Sequence, residues 1–182
     1  MTDAALHRLV CQFRFAIDAA KQSRAFHEDL CFNRFPNACC GDTCYLLAEY
    51  LQSKGVKTIY VCGDDRGQSH AWLVVRDHRI TIPQPQFWTP PDEILSILNE
   101  YSNNAYANPI DVTHYTEPDI INGLIIDITA DQFGYVPVYV DYIGSFHKQF
   151  IFDSAYDYDS LGTPRLRRIY KTIIAHLWRD DY

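Results

Sequence analysis

The sequence predicts an α+β fold in which N-terminal helices pack on an antiparallel β-sheet and a further helix closes the chain. Three observations carry this expectation. Apolar residues recur at helical spacing near both ends of the chain and again after Cys40. Short β-branched or apolar runs lie between those stretches, at 58–62, 70–75 and 124–129. The pair Asp77-His78 stands where a tight turn would return the chain into 79–82, which favours hairpin connections.

The elements follow in order. Leu6, Leu9, Val10, Phe13, Ile17 and Ala20 form a 3.6-residue stripe over 3–22, the first helix. Residues 23–38 have no period and read as an irregular connection. Leu46, Leu47, Tyr50 and Leu51 then mark a second helix, stopped near Gly55. Pro36, Ala38 and Gly41 keep it from extending backwards, so Cys39 and Cys40 fall at its N-terminus. Strands are expected at 58–62 and 70–75, with a turn over 63–67. Four prolines in 83–91 exclude helix and central strand there. Thr89-Pro90 opens a helix through Tyr101, and 102–118 reads as surface loop. Strands at 124–129, 136–142 and 149–152 precede a last helix capped by Thr163-Pro164.

At 182 residues the chain is expected to be a single domain with a real core. A net charge of −7 argues against a nucleic-acid partner, which requires clustered Lys and Arg. Arg165, Arg167, Arg168 and Lys171 read instead as the solvated face of the last helix. No apolar run approaches the ~20 residues of a membrane span. The start lacks a basic region followed by an apolar core, so a cytoplasmic location is expected. In that reducing setting the six cysteines are read as free thiols rather than a disulfide framework. Cys40 and Cys44 lie one helical turn apart, yet no Cys-x-x-Cys pair completes a zinc site, so neither metal nor organic cofactor is expected.

Three reactive side chains remain: Cys40 at a helix start, His70 at the beginning of a strand, and Asp127 within a later one. Free N–H groups and the positive end of a helix dipole favour a thiolate. Cysteine catalysis also needs a neighbouring base, which histidine supplies, and a carboxylate fixes that histidine's tautomer. An aspartate in an apolar strand demands a partner, because an unpaired buried charge is costly. Cys39 is the alternative nucleophile and Asp131 the alternative orienter; Gly41 after Cys40 leaves room for close substrate approach. Backbone N–H of Cys40 would hold an oxyanion, with Gln68, Ser69 and Asn37 as candidates for a second donor.

The trio resembles the catalytic core of the papain-like, transglutaminase-like cysteine enzymes. His70-Ala71-Trp72 is similar to the His-Ala-Trp segment of transglutaminase cores, and Asp127-Ile128-Thr129 to their Asp-x-Thr segment. Cys-Gly-Asp before a Leu-rich helix, Ser-His-Ala-Trp-Leu, and Ile-Asp-Ile-Thr-Ala-Asp-Gln-Phe together also look like small bacterial proteins of that superfamily, over residues 35–133. The resemblance implies a thiol hydrolase or acyltransferase acting on a protein or peptide amide: a peptidase, glutamine deamidase or transglutaminase-type enzyme. It implies Cys40, His70 and Asp127 as catalytic and places Trp72, Gln68 and Cys39 on the substrate side. Two departures stand out. Gly41 follows Cys40 where the family usually has Trp, and the interval from His70 to Asp127 makes 83–118 look like an insertion beside the active site. Two other classes fit the same residues: a catalytically silent protein-binding module of this fold, and a redox or zinc sensor using Cys31, Cys39, Cys40 and Cys44.

Overall fold

The computed structural model describes residues 2–80, 86–88, 110–112 and 114–177. Among them are four α-helices and a five-stranded antiparallel sheet, so the architecture is mixed α+β. Helix α1 (Asp3–Gln22) starts where the Thr2 hydroxyl accepts a hydrogen bond from the Ala5 N–H at 3.2 Å. Its stripe of Leu6, Val10, Phe13, Ala16, Ile17 and Ala20 is fully inward. Helix α2 (Cys40–Ser53) ends before Gly55, whose φ of 79° reverses the chain.

Strand β1 (Thr58–Asp65) pairs with β2 (Gln68–Val75). The turn between them is shorter than the sequence suggested. Only Arg66 and Gly67 leave the ladder, both at positive φ (53° and 84°), so Gly63–Asp65 belong to the strand. The expected hairpin at Asp77-His78 does not form. Asp77 instead accepts hydrogen bonds from its near neighbour Arg79, closing a local turn, and Ile80 is buried without joining a strand; 81–82 lie outside the described residues. The partner on that side of β2 is β5 (Ile125–Asp127), with Val74 opposite Ile125.

Strands β3 (Gln86–Trp88) and β4 (Ile110–Val112) pair in a separate two-stranded sheet. The helix expected after Thr89-Pro90 lies outside the described residues. The reading of 102–118 as loop misses β4 and helix α3 (Glu117–Ile120), whose capping box joins the Thr116 N–H to the Asp119 carboxylate at 2.7 Å. Beyond β5 come β6 (Tyr139–Asp141), β7 (Ile151–Asp157) and helix α4 (Pro164–Ala175), capped by the Thr163 hydroxyl. Strand β7 is longer than foreseen because Asp153, Ser154 and Asp157 dilute its apolar signal, while backbone pairing with β1 fixes its length.

The sheet order is β6-β5-β2-β1-β7. Its two faces carry different cores. Ala71, Leu73 and Ile126 point to the face covered by α1, α2 and α4. Ile59, Val61, Trp72, Val74 and Ile125 point to the other, under Phe146 and Phe150. Full burial of each large side chain contributes roughly 1.5–3 kcal/mol, which holds the central strands as a fixed platform.

Candidate active site

Cys40 is the first residue of α2, where the helix N–H groups have no partners of their own. The loop leading to it is held from several sides. Ala38 sits at φ 57°, a conformation unfavourable for a residue with a Cβ, and its N–H donates to Gln132 Oε1 at 3.3 Å. Asp29 accepts from the Cys31 and Phe32 N–H groups at 3.1 and 3.0 Å and takes a paired contact from Arg165 at 2.7 and 2.8 Å. Arg165 also bonds Asp42, in the first turn of α2. It therefore offsets the Asp42 carboxylate in the first turn of α2. Sequence reading left Arg165 on the solvated face; only the packing of α4 against the 29–42 loop reveals this task.

The two adjacent cysteines meet opposite environments. Cys39 is 2 % exposed, its thiol donates to the Pro36 carbonyl at 3.2 Å, and burial pushes its pKa well above the ordinary thiol value. Cys40 is half-buried and so reachable. Burial alone would raise its pKa too. The hydrogen bond and charge of His70, with the backbone N–H groups of Ala71 and Gly41, outweigh burial and hold the Cys40 thiol below its usual value. At Gly41 a Cβ would come 3.2 Å from the Tyr60 hydroxyl, a close contact from which the tyrosine would have to shift by a few tenths of an ångström.

His70 is completely buried at the start of β2. Its Nε2 donates to Asp127 Oδ2 at 2.7 Å, which leaves Nδ1 on the Cys40 side, 3.3 Å from the Gln132 amide nitrogen. Burial opposes a charge on this ring, but the hydrogen bonds and charges of Asp127 and Cys40 raise its pKa to about 9. Asp127, at the end of β5, is 2 % exposed. Its Oδ1 accepts from the Thr129 N–H and hydroxyl at 2.9 and 3.2 Å. Burial would push its carboxyl up. Hydrogen bonds from His147 and His70, the charge of His70 and the Thr129 N–H prevail, keeping it well below the usual carboxylate range.

His70 is thus hydrogen-bonded to Asp127 on one side, and on the other its charge acts on Cys40 at the start of α2. The alternatives lie elsewhere. Asp131 is bound by Arg14 at 2.7 and 3.0 Å and does not meet His70. Trp72, expected on the substrate side, is 5 % exposed behind the imidazole, with ring centroids 5.8 Å apart. Gln68 is exposed beside the β1–β2 turn, opposite Asp65, and the glutamine that reaches the ring is Gln132. Gln132 was legible as part of the 126–133 segment, but nothing in its spacing showed that it would contact His70. Another functional candidate missed by sequence reading is His147, whose Nε2 donates to Asp127 Oδ2 at 3.1 Å. It lies in a run, Phe146-His147-Lys148-Gln149, without period or motif. Phe133, Phe146 and Phe150 surround the His70 ring at 5.0, 5.8 and 5.1 Å and exclude water from it.

Among the described residues no group of three or more His, Cys, Asp or Glu is arranged to hold a metal ion, and no helix is long and apolar enough to cross a membrane. No protein-family model, no curated protein and no solved structure matches the chain.

Proposed function

We propose that this chain is a cysteine-dependent hydrolase or acyltransferase acting on amide bonds of a protein or peptide, of the papain-like, transglutaminase-like kind. The observation that carries the reading is the buried His70 ring, hydrogen-bonded to the Asp127 carboxylate on one side and lowering the pKa of the Cys40 thiol on the other. A thiolate and an imidazolium held in contact are the ground state such chemistry needs.

The Cys40 thiolate attacks the carbonyl carbon, and backbone N–H at the start of α2 stabilises the resulting oxyanion. His70 gives its Nδ1 proton to the departing amine as the carbon–nitrogen bond breaks, leaving a thioester on Cys40 and a neutral imidazole. His70 then takes a proton from water, or from an incoming amine, as that nucleophile displaces the thiolate. Asp127 orients the ring and stabilises its charged form throughout. Peptide cleavage, glutamine deamidation and transamidation share these steps and differ in the leaving and accepting amine. The six free thiols fit a reducing, cytoplasmic setting.

The test is acyl trapping. Incubation with glutamine-containing peptides and p-nitrophenyl esters should yield a Cys40 thioester visible by intact mass at low pH, with amine or phenol released. Cys40→Ala should form no adduct. A wild-type protein that is folded yet forms no adduct and alkylates at an ordinary thiol rate would instead support the silent binding module.

A further inference from the structure

The Asp127 carboxylate serves two imidazoles, and only one of them is used in the mechanism above. His147 and His70 both place Nε2 on the same oxygen, Oδ2, at 3.1 and 2.7 Å. All three side chains are at most 2 % exposed, so water cannot substitute for any of these bonds. Among the described residues, His147 Nδ1 is buried with no hydrogen-bond partner. A proton there would have no acceptor, so the ring carries its proton on Nε2, pointed at the carboxylate. Around His147 stand Tyr139 of β6, with ring centroids 4.7 Å apart, and Trp72 of β2 at 5.3 Å. Glu117 of α3 and its own neighbour Lys148 line the small cavity it borders, and Asp127 is the charged group it bonds. His70 in turn faces Cys40 of α2, Asp127 of β5 and the Gln132 amide.

We infer that His147 is a positioning residue that divides the negative charge of Asp127 between two donors and so sets how firmly His70 holds its proton. The inference rests on the reading of Cys40 and His70 as a reactive pair. A carboxylate oxygen shared with a second N–H is a weaker acceptor toward the first. His70 must release a proton to a leaving amine, and an undivided Asp127 would hold that proton too tightly at neutral pH. The second histidine thus keeps the carboxylate ionised while moderating its pull on the catalytic ring.

The experiment measures iodoacetamide alkylation of Cys40 by peptide mass spectrometry from pH 5 to 10.5. It compares wild type, His147→Phe, His147→Leu and His147→Gln, with His70 followed by NMR over the same range. Peptide-level readout separates Cys40 from Cys11, Cys31 and Cys62, whose burial raises their own pKa values. Phenylalanine keeps the ring packing and deletes the donor; leucine does so if phenylalanine fails to fold. Glutamine replaces Nε2–H with an amide N–H. The base-side transition of His70, near pH 9 in the wild type, should move up by roughly one pH unit in the Phe and Leu variants and return in the Gln variant. A transition that stays in place, or moves down, in folded Phe or Leu variants overturns the inference. If wild-type Cys40 itself shows no reactivity below pH 8, the fault lies with the reactive-pair reading instead.

Discussion

Asp127 ends β5 and Asp131 follows it in the next turn, and both carboxylates bind a basic side chain, yet the partners differ in kind. Asp131 meets Arg14, a guanidinium that keeps its proton at every physiological pH. Arg14 also donates to the Ile128 and Pro137 carbonyls at 2.7 and 3.1 Å and lies over the Phe35 ring, so it ties α1 to both loops that flank the site. Asp127 meets imidazoles, which can lose theirs. The first pair is scaffold, and in the proposed reading the second is chemistry. The contrast teaches that the acidity of its partner decides whether a buried carboxylate can support proton transfer, and that a permanent ion pair nearby can fix the geometry alone.

The sharpest test of that contrast is Cys40→Ala, which should abolish labelling by an iodoacetamide probe at neutral pH, whereas Cys39→Ala should leave it intact. Equal labelling of wild type and Cys40→Ala would remove the nucleophile from the scheme. Next in size, His70→Ala should slow Cys40 alkylation at pH 7 by roughly tenfold to a hundredfold, since an ordinary thiol is scarcely ionised there. Asp127→Asn should act in the same direction while the protein remains folded.

Asp131→Asn should divide stability from reactivity in the opposite way. Breaking one side of a largely buried ion pair costs about 3 kcal/mol, or roughly 6–12 °C in melting temperature for a chain of this size. Cys40 alkylation at pH 7 should change little; a loss as large as that of Asp127→Asn would erase the distinction between the two carboxylates.

The pH dependence of stability follows from the signs of the shifts. His70, raised from 6.5 to about 9, contributes stability that is complete below pH 6.5 and lost as pH rises through about 9. Cys40, lowered from 9.0, contributes in the opposite sense, complete above 9.0 and lost as pH falls through its folded value. Where the two shifts overlap, the slopes oppose each other, since folding favours the proton on His70 and its loss from Cys40. Asp127, lowered from 3.8, then sets the acid side: its contribution is complete above that value and is lost as pH falls through its depressed folded pKa. Urea unfolding should therefore give a decline in acid that Asp127→Asn blunts. The smallest effect is expected for Thr129→Val, which loses a 3.2 Å hydroxyl bond to Asp127 but keeps the backbone N–H, at a cost of about 1 kcal/mol by thermal melting.

Local patterning made much of the scaffold legible. The α1 stripe, the α2 start at Cys40 and the Thr163 cap of α4 were readable because each is decided by neighbours within one or two helical turns. The strands were less so. β1 was cut short because Gly63, Asp64 and Asp65 look like turn residues, although pairing with β2 keeps them extended. β7 was truncated for a similar reason. The hairpin at Asp77-His78 was a false signal, since the side chain of Asp77 closes the turn with Arg79 instead of opening a strand.

By itself, the sequence determined helices α1, α2 and α4, the mixed α+β class and the identities of three side chains able to form a thiol–imidazole–carboxylate series. Those features depend on periodicity, capping and residue chemistry, which are properties of neighbours in the chain. Only the tertiary structure decided that Cys40 and not Cys39 faces the imidazole, that Asp127 and not Asp131 receives it, and that His147 shares the carboxylate. Each of those outcomes turns on which face of the sheet or loop a side chain occupies and on what excludes water there. Burial and charge pairing across distant segments fix both, and neither is written in local spacing.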